Sequence, residues 1–329
     1  MKRFSYILAG FTVFLALITA AIPWCSPVVA GYLAPLGLLV IPLAVFCTLA
    51  AIIAILYRSK GISLLFGTAC LITLFLCGKS WAVSFETDES PSHSLHLISW
   101  NAEGFQLNKD TLQASSAFIR NLHPDVICVQ ERPHDILLNR DSISAAFGYP
   151  YQVFNSREDE VLNLAVYSRF PLSNMKEYYF PDSYNKVLQI DLQYEGRIIR
   201  LFNIHLQTTG MTPAFQGNNL LHTYQLNARE RNRQAQLLAE AIASSPYPVI
   251  LCGDLNDTPI SYAYRKLTTQ LDDCFLKAGN GWGGTYQPAR NLFRIDYILC
   301  APELKTSAYH LYSNPWSDHR IQYTIVTPL

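Results

Sequence analysis

The chain has 329 residues, of which half are hydrophobic and 15% are charged. Its 25 basic and 25 acidic residues balance overall, but the first 81 residues hold five basic residues and no acidic one, so the remainder has 20 basic against 25 acidic residues, a net charge of −5. This net negative charge argues against a domain that binds nucleic acid non-specifically, because such a domain needs a basic surface.

Residues 1–81 are predicted to form a membrane domain. The chain has no charged residue from Phe4 to Tyr57, and three apolar stretches can be separated, at Phe4–Ile22, Tyr32–Tyr57 and Ile62–Cys77. Since a helix needs about 20 apolar residues to cross a bilayer, the sequence predicts three transmembrane helices. A cleaved signal peptide over the first stretch and a buried helical core of a soluble protein are the alternatives.

The basic residues predict the orientation of this membrane domain. Lys2 and Arg3 precede the first stretch, Arg58 and Lys60 lie between the second and the third, and the loop between the first and the second has no Lys or Arg. Because basic residues favour the cytoplasmic side, everything after the third stretch is expected outside, with Lys79 as a single opposing charge. The sequence therefore predicts a multi-pass protein of the cell membrane with an extracytoplasmic soluble domain.

Residues 82–93 are predicted to form a polar linker, and residues 94–329 are long enough for one large α/β domain. Its apolar runs predict strands at Leu95–Trp100, Asp125–Gln130, Leu162–Tyr167, Val187–Gln193, Ile198–His205, Val249–Cys252, Arg294–Cys300 and Gln322–Val326. Helices are predicted at Lys109–Asn121, Asp135–Phe147, Ala228–Ala243 and Ile260–Thr269. Gly196 favours a hairpin turn between two of the strands, so a mixed sheet is expected.

The eight cysteines indicate neither a disulfide framework nor a zinc site, because the chain has no CxxC pair and no zinc spacing. Cys128, Cys252 and Cys300 lie inside apolar runs, as is typical of small buried hydrophobic residues.

Short polar clusters follow the predicted strands, at the positions where a rigid sheet places chemistry. The candidate residues in them are Asn101, Glu131, His205, Asp254, Asn256, Asp296, Asp318 and His319. If these side chains converge, their oxygens suit a hard divalent cation, and the histidines suit acid–base chemistry on a phosphate.

Each of these residues also has an ordinary structural interpretation. Glu131 ends an apolar strand, where a carboxylate is costly unless it is paired, and Arg132 or Arg169 could pair with it. Asn101 could simply form a turn. Residues 254–257 could serve as a loop before the next helix, with Asp257 or Thr258 as its N-cap. A lone histidine is more often a structural hydrogen-bonding residue, and Asp296 could pair with Arg294.

The joint order of these motifs is more specific than any one of them. Trp-Asn-x-x-Gly, Gln-Glu, Asn-Ile-His, Gly-Asp-Leu-Asn, Arg-Ile-Asp-Tyr-Ile and Ser-Asp-His, read from Leu95 to Val326, resemble the endonuclease/exonuclease/phosphatase superfamily with its deoxyribonuclease-I-like fold. The resemblance implies a four-layer α/β sandwich of two mixed sheets. Thr285-Tyr286 and the stretch Asn163 to Pro171 also resemble family segments.

The resemblance also implies a role for each candidate. Asn101, Glu131 and Asp318 are assigned to the metal side, Asp254 and Asn256 to water and phosphate, and His205, Asp296 and His319 to catalysis, with Asp296 orienting His319. The implied cofactor is Mg²⁺, with Mn²⁺ as an alternative ion.

Two departures from the family pattern bear on the substrate. No basic surface for DNA is evident, and Arg320 stands where a small or apolar residue is expected, so its side chain could meet substrate or an acidic neighbour. The segment Gln207–Glu230, rich in Thr, Asn and Gly, is predicted to be a long substrate-contacting loop beside His205.

The sequence therefore predicts a divalent-metal-dependent hydrolase that cleaves a phosphoester outside the cytoplasm, as a phosphodiesterase or phosphatase, with a lipid headgroup as a candidate substrate. A membrane-anchored nuclease acting on extracytoplasmic DNA and a catalytically silent receptor or scaffold are the alternatives.

Overall fold

The computed structural model describes residues 2–84, 93–155, 162–181, 183–210 and 219–329. The helices are α1 (Lys2–Ala21), α2 (Pro27–Leu33), α3 (Pro35–Leu38), α4 (Val40–Leu56), α5 (Lys60–Cys77), α6 (Lys109–Asn121), α7 (Arg140–Phe147), α8 (Leu220–Ala243), α9 (Tyr262–Leu267) and α10 (Cys274–Ala278). The strands are β1 (Trp81–Ala82), β2 (Leu95–Asn101), β3 (Val126–Pro133), β4 (Tyr151–Phe154), β5 (Leu162–Ser168), β6 (Leu172–Tyr179), β7 (Lys186–Tyr194), β8 (Arg197–His205), β9 (Val249–Asp254), β10 (Asp272–Asp273), β11 (Gly281–Trp282), β12 (Asp296–Cys300), β13 (Leu304–Tyr312) and β14 (Ile321–Pro328).

Two six-stranded sheets form the centre of the sheet domain, residues 93–329. One has the strand order β10-β12-β9-β8-β7-β6 and the other the order β13-β14-β2-β3-β5-β4. In each sheet one inner pair is parallel, β8 with β9 and β2 with β3, and the remaining pairs are antiparallel. The predicted mixed sheets are therefore confirmed.

The sheet domain has four layers. Apolar side chains from the inner faces of both sheets, such as Leu97 and Val126 from one and Leu188 and Ile250 from the other, form a common core. Helices α8 and α9 cover the outer face of one sheet, and α6 and α7 cover the outer face of the other. Because both faces of each sheet are covered, the central strands are buried along almost their whole length, as their uninterrupted apolar runs predicted.

All eight predicted strands are present close to their predicted bounds, and α6 has the predicted bounds. Two helices begin later than predicted. Helix α7 starts at Arg140 because the side chain of Asn139 caps it. Helix α9 starts at Tyr262 with Ser261 as its N-cap, so the expectation that Asp257 or Thr258 caps this helix is wrong.

The segment Gln207–Glu230, predicted to be a long loop after His205, is helical over its second half. Helix α8 begins at Leu220, with the side chain of Asn219 accepting a hydrogen bond from His222 N, so the second half of the predicted loop is helical. Residues 211–218 of this segment and residues 85–92 of the predicted linker lie outside the described residues.

Helices α1, α4 and α5 pack side by side. Ala9 of α1 lies near Ile62 of α5, and further along both helices Ala16 lies near Ala69, so α1 and α5 run in the same direction. Helix α4 runs the opposite way and packs mainly against α5, which lies between α1 and α4. Large apolar side chains such as Phe11 and Phe75 are exposed on the outside of this bundle.

The bundle meets the prediction of three transmembrane helices only in part. Two helices, Arg3–Trp24 and Lys60–Ser80, are long and apolar enough to cross a membrane, by length and composition alone. The predicted middle span is divided into α2, α3 and α4, and α4 has 17 residues. Pro35 and Pro42 lack the amide hydrogen that would continue the helical hydrogen bonds, which accounts for this division.

The chain enters the sheet domain directly after α5. Trp81 and Ala82 of β1 pair with Trp282 and Gly281 of β11. The boundary that the sequence placed between residues 81 and 82 therefore falls inside a short strand pair.

Candidate active site

Strand register brings three candidate residues of one sheet side by side. His205 ends β8 opposite Asp254, which ends the parallel strand β9, and Asp254 lies opposite Asp296, which begins the antiparallel strand β12. Gly253 permits this approach, since it has a φ of +138° and a Cβ there would lie 2.0 Å from the carbonyl oxygen of Ile204.

The other sheet supplies Asn101 and Glu131. Asn101 ends β2, and Glu131 lies at an irregularity of β3 with a φ of +53°. The Nδ2 atom of Asn101 donates to Glu131 Oε1 at 2.9 Å and to Asp254 Oδ2 at 3.2 Å. A side chain from the second sheet thus joins carboxylates from both sheets, so the predicted residues meet at one end of the sandwich.

Polar side chains buried beneath the site hold the two sheets together. Gln130 Nε2 donates to Asn203 Oδ1 at 2.7 Å, and Asn203 Nδ2 donates to the carbonyl oxygens of Val129 and Ala165. Gln130 and Asn203 immediately precede Glu131 and Ile204-His205 in the sequence. These parts of the Gln-Glu and Asn-Ile-His motifs therefore have a positioning role.

His319 and Asp296 form a buried pair. The Nδ1 atom of His319 lies 2.8 Å from Asp296 Oδ2. Thr285 Oγ1 accepts a hydrogen bond from the backbone N–H of Asp296, and the ring of Tyr286 packs edge-on against His319. Ser317 Oγ accepts from His319 N, so both partners of the pair are fixed by their neighbours.

The two histidines of the site differ in charge. Burial alone would lower the pKa of His319, but the carboxylates of Asp296 and Asp254 raise it to about 10, so its imidazole is a cation at neutral pH. Burial lowers the pKa of His205, although Glu131 opposes this, so that ring is neutral. His205 Nε2 lies 3.4 Å from Glu131 Oε1 and 3.8 Å from Asp254 Oδ2.

The carboxyl groups of the site repel one another. Burial, followed by the nearby Asp296, raises the pKa of Asp254 well above its ordinary value. Burial, followed by the charges of Glu103 and Glu131, raises the pKa of Asp318 to about 6 against the opposing effect of His319. Closely spaced acidic groups of this kind are stabilised when a cation binds among them.

The residues present fit a divalent metal ion. The carboxylate oxygens of Asp254 and Asp296 lie within 4.8 Å of each other, and Asp296 Oδ1 is buried without a hydrogen-bond partner among the described residues. His319 lies in the same cluster, but as a cation it has no free nitrogen for a metal ion, so the carboxylates are the ligands that fit. None of the described residues lining the adjacent cavity, of about 350 Å³, is a Lys or Arg. Carboxylate oxygens are the ligands that Mg²⁺ prefers.

This group is not the metal set expected from sequence, Asn101, Glu131 and Asp318. Glu131 and Asp318 both line the cavity, and Asp318 Oδ1 lies 3.7 Å from His319 Nε2. Asn101 presents its amide nitrogen to the carboxylates, while its Oδ1 accepts a hydrogen bond from Glu103 N. The division of the carboxylates between metal and water stays a prediction.

The arginine ion pairs considered as alternative roles for Glu131 and Asp296 are not formed. Arg132 pairs with Asp135 at 2.8 Å, and Arg169 lies 4.0 Å from Asp125, whereas Glu131 contacts Asn101 and His205. Arg294, the alternative partner considered for Asp296, pairs with Asp273.

Three expectations around the site need correction. Asp254 and Asn256, two residues apart, would point to the same side of an extended segment; instead Asn256 has a φ of +55° and donates from Nδ2 to the carbonyl oxygen of Leu206, although both residues line the cavity. Asp257 pairs with buried Arg231 at 2.9 Å. Arg320 donates to the carbonyl oxygens of Gly284 and Leu311, and among the described residues it neither pairs with an acidic side chain nor lines the cavity.

Sequence reasoning missed two positioning residues. Glu103 accepts a hydrogen bond from the backbone N–H of Asp318 at 2.9 Å, and it lies two residues after Asn101 in a motif that was already recognised. Arg231 of α8, fully buried, donates to the carbonyl oxygen of Gln207 and so fixes the chain after His205. No local sequence signal marks Arg231.

Comparison with known proteins agrees with this architecture. A family model described as Endonuclease/Exonuclease/phosphatase family matches residues 98–319. No curated protein matches the chain significantly.

Solved structures share the fold at low identity. Truncated TDP2 from Caenorhabditis elegans is 17% identical with a TM-score of 0.56, over 71% of this chain and 98% of that one. An endonuclease/exonuclease/phosphatase from Bacteroides vulgatus is 16% identical with a TM-score of 0.56, over 72% and 99%. The human Nocturnin catalytic domain with bound sulfate is 15% identical with a TM-score of 0.55, over 74% and 100%.

Proposed function

Because the chain belongs to the endonuclease/exonuclease/phosphatase family, whose members are hydrolases acting on phosphoester bonds, we propose that it is a divalent-metal-dependent phosphoesterase. The observation that carries this proposal is the meeting of the His319–Asp296 pair with Asp254, Glu131 and His205 around one cavity. A silent receptor or scaffold would not need this complete set.

Each residue has a distinct role in the proposed hydrolysis. Asp254 orients the attacking water, and His205 and Asn256 contact phosphate oxygens. His319, held as a cation by Asp296, stabilises the negative charge that grows on those oxygens in the transition state. A Mg²⁺ ion held by the carboxylates beside Asn101 would neutralise further phosphate charge.

We place the sheet domain outside the cytoplasm and the helical bundle in the membrane. Both long apolar helices have fewer than a third of their residues buried, which is unusual for the core of a soluble protein. The loop at Arg58 and Lys60 lies at the end of the bundle away from the sheet domain, since α5 begins there and leads into β1. The positive-inside rule then assigns that end to the cytoplasm.

Two substrate classes follow from this placement, a lipid headgroup and extracytoplasmic DNA. The acidic sheet domain and a cavity whose described lining has no Lys or Arg favour the lipid headgroup. A nuclease would need cations to bind the phosphate backbone.

The proposal is tested with the full chain purified in detergent or nanodiscs. Mg²⁺ and a panel of bis(p-nitrophenyl) phosphate, phosphoinositides, sphingomyelin and DNA should show hydrolysis of at least one phosphoester. A His319→Ala preparation is the control for contaminating enzymes. Equal turnover by the variant, or none by the native chain, would contradict the proposal.

A further inference from the structure

One wall of the active-site cavity comes from the part of the chain that precedes α4. Leu38, the last residue of α3, lines the cavity together with Tyr224 of α8 and Phe293. Helix α4 begins two residues later, at Val40. The site therefore combines residues of the sheet domain with an apolar side chain that leads into the helical bundle.

Residues 27–38, here called the docking segment, are firmly held against α8. Asn232 donates to the carbonyl oxygen of Pro27 at 2.8 Å, and Gln225 donates to that of Tyr32 at 2.8 Å. The backbones approach so closely at Gly31 that a Cβ there would lie 2.2 Å from a side-chain atom of α8. The position of Leu38 is thus fixed by contacts along the whole segment.

The lining of the cavity is of two chemical kinds. The carboxylates and histidines described above are here called the polar end. The other kind is apolar or aromatic, namely Leu38, Tyr224, Phe293 and Ile295; Leu38 packs beside Tyr224, and these side chains are here called the apolar end. A phosphate and its metal ion would need only the polar end, so the apolar end suits an apolar part of the same substrate.

The apolar end faces the helical bundle. A smaller cavity of about 20 Å³ shares Thr258 and Phe293 with the active-site cavity and is lined on its other side by Val40 of α4 and Leu76 of α5. Val40 and Leu76 in turn pack on Ile260 of the sheet domain. The apolar end of the site therefore lies beside the ends of two apolar helices.

Tryptophans indicate the level of the membrane surface at this place. Trp24 follows α1 and Trp81 follows α5, and they are 63% and 53% exposed. Lys79 and Arg265 lie over the Trp24 ring at 5.7 Å and 5.0 Å. Exposed Trp beside basic residues is typical of the boundary between lipid and water, and Leu38 lies at the same end of the bundle.

We propose that the substrate is a lipid of the surrounding bilayer, and that Leu38 is a specificity-determining residue that contacts its apolar portion. This inference rests on the proposed phosphoesterase function. The lipid phosphate enters the polar end, water adds to phosphorus, the ester P–O bond breaks, and the alcohol leaves with a proton. Soluble phosphoesters reach the same polar end without using the Leu38 wall.

The test compares lipid with soluble substrate in the full chain, reconstituted with Mg²⁺. The lipid probes are dioleoyl phosphatidylglycerol, a diester, and dioleoyl phosphatidic acid, a monoester, each in phosphatidylcholine vesicles; the soluble probe is bis(p-nitrophenyl) phosphate. At least one lipid should be hydrolysed. Leu38→Ala should lower the ratio of kcat/KM for lipid to kcat/KM for the soluble probe roughly tenfold, mainly through KM, because it removes three carbons from the cavity wall.

Two further variants separate specificity from folding. Leu39→Ala changes the neighbouring leucine, which is exposed and does not line the cavity, and should leave the ratio unchanged. Leu38→Met conserves volume and should restore the ratio. Hydrolysis of the soluble probe without either lipid, a faster reaction on DNA, or an unchanged ratio in Leu38→Ala overturns the inference while the proposed function stands. No hydrolysis of any probe overturns both.

Discussion

His319 and Asp296 are joined by a 2.8 Å hydrogen bond inside a buried site. The Asp296 carboxylate both raises the pKa of the imidazole and fixes its orientation, because Nδ1 must carry the shared proton. His319 Nε2 then points toward Asp254, 3.9 Å away, where the phosphate is proposed to react. The pair is therefore expected to act as one unit.

Removal of either partner should abolish most of the activity. We expect His319→Ala and Asp296→Asn each to lower kcat by about 100-fold or more, as for other groups that stabilise transition-state charge. The double variant should be hardly worse than His319→Ala alone, since residues acting as a unit give non-additive losses. Exposed His222, which does not line the cavity, provides the control variant His222→Ala. Additive losses in the double variant would show that His319 and Asp296 do not act as a unit.

Glu131 provides a separate test of metal dependence. Glu131→Gln keeps the shape of the side chain but removes a negative charge from the cavity wall, so turnover should fall by about 100-fold if this carboxylate holds the ion. Metal content per folded protein, measured directly, should fall with it. Chelator should inactivate the native chain, with Mg²⁺ or Mn²⁺ restoring activity.

Glu195→Gln is the matched control for this substitution. Glu195 lies at the β7–β8 turn, at the opposite end of the sheet, and makes an exposed ion pair with His93. Exposed pairs of this kind contribute little to stability. Turnover that persists in excess chelator would show that no metal ion is required.

At the residue scale, sequence predicted which side chains meet but not how they bond. The positions of Glu131 and Asp296 at strand ends were enough to place them in the site. Their partners were not predictable. Arg132 directly follows Glu131 but bonds to Asp135, because successive side chains of a strand point to opposite faces. Arg294 lies two residues before Asp296, ahead of β12, and bonds to Asp273 of β10.

At the element scale, burial decided what could be predicted. The central strands have uninterrupted apolar runs and were found, whereas β4, β6 and β13 and the two-residue strands β1, β10 and β11 were missed. Strand β6 is partly exposed and polar, with an irregular register between Ser173 and Lys176. Strand β13 has a bulge between Thr306 and Ala308, which breaks the alternation that would have revealed it.

The docking segment offers a prediction at this same scale. In Gly31→Ala the new Cβ would lie 2.9 Å from the backbone nitrogen of Arg229, so α2 must move away from α8. We expect a lower melting temperature and faster proteolysis of the docking segment. Gly10→Ala is the control, because Gly10 in α1 has nothing within 4 Å of its added Cβ. Equal behaviour of the two variants would show that the close contact does not hold the segment.

For the whole molecule, the contact between the docking segment and the sheet domain could not be predicted. Hydrophobic patterns identified α1 and α5 because such patterns are local to one helix. The placement of Leu38 in the active site depends instead on α8, nearly 190 residues later in the chain. Even the length of the middle span was overestimated, since apolar composition does not show where Pro35 interrupts a helix.

Membrane topology is the prediction that the whole molecule supports best. Helices α1 and α5 begin at the same end of the bundle, with Lys60 at the start of α5, and the sheet domain follows the other end. The positive-inside rule places the first end in the cytoplasm. A reporter enzyme active only outside the cytoplasm should therefore be active when fused after Leu329 and silent when fused after Lys60. A reporter active only inside should give the reverse pattern. If instead the fusion after Lys60 is active outside, the sheet domain lies in the cytoplasm, and its lipid substrate would have to come from the inner leaflet.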